Sequence, residues 1–83
     1  MPTTESTSSS NLTYGEKIMG VTFNPSGNKK VDVIKGLSAR LADALNEARM
    51  ETQSPEAKRL FSISLTNLQG AQMFGVKGAT WVD

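Results

Sequence analysis

Ser54 and Pro55 divide most of the chain into two long helical segments joined by only a few residues. Serine is a favoured N-cap, proline is favoured at the first helical position, and Glu56 places an acid in the first turn. The sequence therefore predicts a helix that begins here and reaches about Ala79. Because only residues 52–54 connect it to the preceding helical segment, the two helices are expected to form an antiparallel αα-hairpin.

The preceding helix is predicted to run from about Lys29 to Glu51, with Ser26 or Asn28 as its N-cap. Asp43 is expected on the solvent side, among the other charges of this helix. Apolar residues recur at the three- and four-residue spacing of a single helix face, with Ser38 on the same stripe and Leu37 broadening it: Val31, Ile34, Leu41, Leu45 and Ala48.

A shorter helix is predicted within residues 11–19, weakened by Gly15 and ended by Gly20. Residues 23–28 read as a turn, because Pro25 fixes its own φ and Gly27 permits a positive φ. The predicted fold class is all-α: an antiparallel two-helix hairpin with a short N-terminal helix, in a domain over residues 12–83. The Ser/Thr-rich residues 1–11 are expected to be a disordered tail.

The second long helix has more apolar residues than one narrow stripe can hold, and one of its faces is expected to stay exposed: Leu60, Ile63, Leu65, Leu68, Ala71, Met73, Phe74 and Val76. A domain this small often needs an additional stabilising element. The chain has no cysteine for a disulfide and neither cysteine nor histidine for a structural zinc. Self-association into a homo-oligomer is therefore predicted.

The composition argues against several classes of function. A net charge of +1 does not indicate a protein that binds DNA or RNA polymers. No apolar run is long enough to cross a membrane, and no basic-then-apolar start suggests a secretory signal, so a cytosolic protein is the expectation. Without histidine, a cysteine nucleophile, a GxSxG motif or a carboxylate cluster with metal spacing, we expect no enzyme, no catalytic residue, no metal and no cofactor.

The stretch from Phe23 to Lys35 is the best candidate for a site. Phe23 on a proline-stiffened loop could stack on a nucleobase, and Asn24 next to Pro25 could bond a base edge. Lys30 and Lys35 lie near a helix N-terminus, which favours anions such as phosphate. The alternative is that Phe23 only staples the turn to the helix and that the lysines form a solvated face.

Arg59, Ser62 and Thr66 form a polar line along the second long helix, at three- and four-residue spacing. A seam of hydrogen bonds between helices is the more ordinary interpretation of such a line. The other interpretation is a second anion site, at which several subunits converge on a symmetry axis.

Taken together, these segments resemble the phage anti-CBASS cyclic-nucleotide sponge family, the anti-CBASS protein type two. The likeness rests on residues 23–28 (FNPSGN), on Val31-x-x-Ile34-Lys35, and on Ala39-x-Leu-Ala. It continues through residues 54–59 (SPEAKR), 62–68 (SxSLTxL) and 71–74 (AQMF). The likeness rests on the order and spacing of these motifs over residues 20–81.

The resemblance implies a homohexamer of helical hairpins that acts in the cytoplasm of an infected bacterium without catalysis. It implies sequestration of cyclic dinucleotides such as cGAMP, and of cyclic trinucleotides, which activate CBASS defence effectors. In dinucleotide pockets between protomers, Phe23 would stack on the base, where relatives often carry tyrosine, and Lys35 would meet the phosphate. Arg59, Ser62 and Thr66 would belong to separate trinucleotide sites. A helical protein-binding module or a structural assembly protein without a nucleotide ligand is the alternative.

Overall fold

A computed structural model describes residues 11–83, which form three helices in chain order and contain no strand. Helix α1 spans Tyr14–Met19, α2 spans Lys29–Glu51 and α3 spans Pro55–Ala79. The observed hairpin of α2 and α3, preceded by a short helix, agrees with the architecture predicted from the sequence. The predicted tail, except residue 11, lies outside the described residues.

The helix boundaries follow from local capping chemistry. Thr13 forms a capping box with Glu16 at the start of α1, and Gly20 ends that helix at a φ of 63°. The Asn28 side chain accepts from the Lys30 N–H at the start of α2, which makes Asn28 rather than Ser26 the N-cap. Ser54 caps α3 with Pro55 at its first position, as predicted.

The core lies where all three helices meet and is built from small and medium-sized side chains. Met19 of α1, Ala39 and Ala42 of α2, and Leu65 of α3 are buried together. Partly buried residues surround this cluster: Ile18, Val21, Leu45 and Leu68. The small alanines leave room for α1 to lie directly on the backbone of α2.

The contact between α1 and α2 contradicts the prediction for Asp43. Gly15 packs so closely that an added Cβ would lie 2.1 Å from the Ala39 carbonyl oxygen, so this position requires glycine. The Gly15 N–H donates to Asp43 Oδ1 at 2.7 Å. The prediction that Asp43 lies on the solvent side was wrong, because Asp43 binds a backbone N–H at the N-terminus of α1.

The buried stripe of α2 is also rotated from the predicted one. It is centred on Val31, Lys35, Ala39 and Ala42. The prediction that Leu37 and Leu41 lie on the buried face was wrong, because they are 60% and 50% exposed. The short helix α1 covers the alanine side of α2 and turns the larger leucines outward. Sequence periodicity favours large apolar residues for the core. It does not predict the contact of α1 with the alanine side of α2.

Large apolar side chains remain exposed on both long helices of the hairpin. On α2 they recur every four residues, at Val33, Leu37 and Leu41. On α3 the spacing also places apolar residues on one face, at Leu60, Ile63 and Phe74. We call these six residues the exposed apolar face. The prediction that part of the second long helix stays uncovered by the hairpin is confirmed.

None of the helices within residues 11–83 is long and apolar enough to cross a membrane.

Candidate functional site

The loop between α1 and α2 is shaped by two turns that present the Phe23 ring to solvent. The Phe23 N–H donates to the Gly20 carbonyl at 2.9 Å, and the Gly27 N–H donates to the Asn24 carbonyl at 3.1 Å. Gly27 has a φ of 67°, a left-handed conformation that favours glycine. The Phe23 side chain is 68% exposed and so does not simply staple the turn to the helix.

Lys35 reaches from α2 into this loop and is buried, with 7% of its surface exposed. Its ammonium donates to the Gly20 carbonyl at 3.1 Å and to the Phe23 carbonyl. The same nitrogen lies 5.4 Å from the centre of the Phe23 ring, which is within cation–π range. An ammonium has three N–H donors, so one remains for a further acceptor such as a phosphate oxygen.

Asn24 organises the remainder of the loop through its side-chain amide. Its Nδ2 donates to the Asn28 carbonyl and to Asp32 Oδ1, both at 2.9 Å, and its Oδ1 accepts from the Ser26 hydroxyl at 2.8 Å. Both N–H groups of the Asn24 side-chain amide are therefore used within the chain. In this conformation the Asn24 side chain has no N–H left to donate to a base edge. Its three hydrogen bonds stabilise the conformation of the loop.

A cavity of about 250 Å³ lies between the loop and the two long helices. Loop residues 23–26 form one wall, Val31 and Lys35 of α2 form another, and Val76 and Thr80 close it from the end of α3. The Asn28 side chain also donates to the Ala79 carbonyl at 3.1 Å, which ties the loop to the C-terminal end of α3. The lining is mainly apolar, with the Lys35 ammonium as its cationic group.

The predicted dinucleotide residues are therefore mostly brought together. Phe23, Asn24, Pro25 and Lys35 all line this cavity. Lys30 does not line it and instead borders a separate, shallow apolar groove with Lys29, Val33 and Ile34. Within the single chain, Lys30 and the loop that carries Phe23 therefore border different surfaces.

The second predicted group, Arg59, Ser62 and Thr66, lies away from this cavity and contributes no residue to its lining. Arg59 is exposed and makes a two-pronged ion pair with Glu56, at 3.0 and 2.6 Å. This hydrogen-bonded pairing holds the pKa of Glu56 below its ordinary value and raises that of Arg59. The Thr66 hydroxyl donates to the Ser62 carbonyl at 3.2 Å.

Arg49 joins the three helices at the other end of the hairpin. It donates to the Ser62 hydroxyl at 3.0 Å and to Asn46 Oδ1 at 2.7 Å. Its guanidinium also lies 5.8 Å from the centre of the Tyr14 ring. For Ser62, this agrees with the interpretation that the polar line forms hydrogen bonds between helices, because its hydroxyl accepts from Arg49 of α2.

Among the described residues, no group of three or more histidine, cysteine, aspartate or glutamate side chains could hold a metal ion. The cavity also contains no carboxylate or imidazole beside a nucleophile. Its lining combines an exposed aromatic ring, a lysine held in place by two carbonyls and mainly apolar side chains.

The sequence interpretation missed Asp32, Val76 and Thr80 as parts of this site. An antiparallel hairpin places the end of α3 beside the start of α2, so the contribution of residues near 76–80 could have been read from topology. Asp32 has no such signal, because its bond to Asn24 depends on the conformation of the loop.

The model of one protein family, described as the Acb2/Tad1 hairpin domain, matches residues 16–80 of the chain. The match spans most of the sequence and contains all three helices except the first two residues of α1. No curated protein and no solved structure matches the chain.

Proposed function

The chain belongs to the Acb2/Tad1 hairpin domain family, the anti-CBASS protein type 2 family, and we propose that it is a phage-encoded sponge for cyclic nucleotides. It binds and sequesters cyclic dinucleotide and cyclic trinucleotide messengers in the cytoplasm of the infected host. The free messenger concentration then stays below the level that activates CBASS effectors. The observation that carries the proposal is the cavity that pairs the exposed Phe23 ring with the Lys35 ammonium.

This cavity has the chemistry that a base attached to a phosphate requires. A base that stacks on an aromatic side chain gains about 1–3 kcal/mol, and this gain tolerates different bases because each has a π-face. The remaining Lys35 N–H can be donated to the phosphate. Because the ammonium is already held by two carbonyls, little side-chain freedom is lost when the ligand binds.

The size of the cavity supports a pocket shared between protomers. Its volume of about 250 Å³ lies below the range of about 300–1,000 Å³ that is typical of small-molecule sites. One protomer therefore provides space for part of a cyclic dinucleotide and leaves the rest of the ligand uncovered. A second protomer that packs over the Phe23 ring would complete the enclosure.

The exposed apolar face supports self-association, and we place the proposed homohexamer contacts there. Monomeric proteins rarely expose contiguous apolar patches larger than a few hundred Å². Here the two stripes lie on the hairpin itself, at Val33, Leu37 and Leu41 of α2 and at Leu60, Ile63 and Phe74 of α3. Packing against other protomers would bury both stripes.

The second ligand class is assigned to Arg59, Ser62 and Thr66. Arg59 is exposed, and its guanidinium can exchange the Glu56 carboxylate for a phosphate without leaving a buried charge unpaired. Ser62 and Thr66 add hydroxyl groups along the same helix. A cyclic trinucleotide at a symmetry axis would collect these groups from several protomers.

The proposed activity is stoichiometric binding without catalysis. Sequestration by mass action requires a dissociation constant below the messenger concentration and enough protomers to take up the messenger. A cavity whose cation and ring are already positioned favours tight binding, and it offers no group that would cleave the phosphodiester.

Calorimetric titration with a panel of cyclic di- and trinucleotides, together with light scattering, tests the proposal. We expect saturable binding of both ligand classes to a particle of hexamer mass. Arg59→Ala should weaken only cyclic trinucleotide binding, and Phe23→Ala should weaken only cyclic dinucleotide binding. If no cyclic nucleotide binds, the exposed apolar face would instead support the alternative, a helical protein-binding or structural assembly protein.

A further inference from the structure

Asp32 lies outside the cavity but holds one of its walls through a single hydrogen bond. Its Oδ1 accepts from Asn24 Nδ2 at 2.9 Å, in the first turn of α2. We infer that Asp32 is a positioning residue for the nucleotide pocket, which acts through Asn24 on the loop that carries Phe23. The inference rests on the proposed function, because it concerns the affinity of that same pocket.

The first step is the connection from Asp32 to the aromatic ring. Asn24 follows Phe23 directly, and the Phe23 carbonyl is one of the two acceptors of Lys35. Asn24 is fixed on its donor side by the Asn28 carbonyl and Asp32, and on its acceptor side by Ser26. Among these partners Asp32 is the ionised one, so its bond is the charge-assisted bond of the set.

The second step is that Asp32 anchors the loop to a rigid element. The bond to Ser26 stays within the loop, and the bond to the Asn28 carbonyl ties Asn24 only to the N-cap of α2. Asp32 lies in the first turn of α2 itself, a helix of 23 residues. Its bond therefore fixes the position of Asn24 relative to Val31 and Lys35, which form the opposite wall of the cavity.

The third step separates positioning from simple electrostatics. Asp32 is a negative charge near a pocket that would bind an anionic ligand. If it acted only through its charge, removing it would strengthen the binding of a cyclic dinucleotide. If it acts by holding Asn24, removing its acceptor oxygen would weaken binding, because the loop must then be ordered when the ligand binds.

Two substitutions of Asp32 distinguish these effects. Asp32→Asn removes the charge but keeps a carbonyl oxygen that can accept from Asn24, whereas Asp32→Ala removes both. We expect Asp32→Ala to weaken the binding of cyclic GMP–AMP by about tenfold, as for the loss of a charge-assisted hydrogen bond. We expect Asp32→Asn to bind within about threefold of the wild-type chain, since a neutral acceptor retains part of that bond.

A double-mutant cycle tests whether the effect passes through Asn24. In an Asn24→Ala background, Asp32→Ala should cause no further loss of affinity, because the two residues share one interaction. Glu47→Ala is the charge-matched control, since Glu47 is exposed on α2 and lies about 22 Å along the helix from Asp32 at the usual rise per residue. This control should leave the affinity unchanged.

The experiment is calorimetric titration of the full chain with cyclic GMP–AMP at about 0.15 M salt, where screening of exposed charges is physiological. The thermal unfolding of each variant without ligand is recorded in parallel, to show that the variants are folded. The supporting result is weakened binding by Asp32→Ala, near wild-type binding by Asp32→Asn, and no added loss in the Asn24→Ala background.

Three results would overturn the inference while leaving the proposed function intact. These are wild-type or tighter binding by Asp32→Ala, equal losses for the alanine and asparagine variants, and additive losses in the double mutant. A wild-type chain that does not bind any cyclic dinucleotide would overturn the proposed dinucleotide pocket itself, and the inference with it. The two failures are therefore distinguished by the wild-type titration.

Discussion

The ammonium of Lys35 donates to the backbone carbonyl of Phe23 and lies 5.4 Å from the centre of that residue's ring. One buried side chain thus fixes both the backbone and the environment of the exposed aromatic residue. A lysine this deeply buried is unusual unless its charge is compensated, and here two carbonyl oxygens and the ring provide that compensation. Lys35 therefore contributes to the fold and to the proposed pocket at once.

Lys35→Met separates these two contributions better than alanine does, because methionine keeps an unbranched apolar stem in the buried position. We expect this variant to bind cyclic dinucleotides at least about tenfold more weakly, since hydrogen bonds to charged groups contribute about 1.5–3 kcal/mol. Calorimetric titration measures the loss. Lys17→Met removes the same charge from an exposed position of α1 and serves as the control. Equal affinities for the two variants would contradict the proposed role of Lys35.

Phe23 is expected to contribute to binding and little to stability. Its ring is 68% exposed, and substitutions at exposed positions usually change stability by no more than about 0.5 kcal/mol. Phe23→Ala should lower dinucleotide affinity by the stacking energy of about 1–3 kcal/mol, which corresponds to roughly 5- to 150-fold.

Phe23→Tyr and Phe23→Leu complete this test with titration and thermal unfolding of each variant. Tyrosine keeps the stacking surface and should bind like the wild-type chain, whereas leucine keeps apolar area without a ring and should resemble alanine. If leucine preserves the full affinity, hydrophobic contact rather than stacking determines binding at this position.

The helices could be predicted from the sequence because their ends are determined by local chemistry. The capping groups of Asn28 and Ser54 act within a few residues, and the bounds of both long helices agree with the prediction. The aromatic and basic residues of the cavity, Phe23 and Lys35, could also be recognised, because a turn beside a helix start restricts where they lie.

What could not be predicted depends on how α1 lies against α2. Helix propensity marks Gly15 as a weak point of a short helix, yet its missing Cβ permits the contact with the Ala39 carbonyl. The charge pattern of α2 predicts that Asp43 faces solvent, yet its carboxylate accepts from the Gly15 N–H. Both assignments require a tertiary contact between residues more than twenty positions apart, which neither periodicity nor capping motifs report.

Gly15→Ala should therefore destabilise the protein, in contrast to the usual gain from replacing glycine in a helix. The added Cβ would lie 2.1 Å from the Ala39 carbonyl oxygen and 2.9 Å from Asp43 Oδ1, so α1 must shift away from α2. Such overpacking typically costs about 1–3 kcal/mol. Thermal unfolding at a fixed protein concentration should show a melting temperature lower by about 4–8 °C for each kcal/mol lost.

Gly36→Ala is the matched control for this prediction. Gly36 lies inside α2, and an added Cβ there would meet no atom within 4 Å in the protomer. Helix propensity alone should then raise stability by up to about 1 kcal/mol. If both alanine variants change the melting temperature in the same direction, the close contact of α1 with α2 is not what determines stability at Gly15.

The ion pair of Arg59 with Glu56 provides a direct test of the second ligand site. Arg59 holds the pKa of Glu56 below its ordinary value of 4.5. A cyclic trinucleotide that takes Arg59 for its phosphate would release Glu56, and the Glu56 pKa would then rise toward that value. Because the bound form takes up a proton, this group should strengthen binding as the pH falls below about 4.5.

NMR titration of the Glu56 carboxyl, with and without saturating cyclic trinucleotide, measures this change. Arg59→Ala should raise the Glu56 pKa in the absence of ligand, because the same partner is removed. A cyclic dinucleotide should leave the Glu56 pKa at its depressed value, since its proposed pocket at Phe23 and Lys35 is separate. A Glu56 pKa that stays depressed while cyclic trinucleotide is bound would exclude the exchange of Arg59 from carboxylate to phosphate.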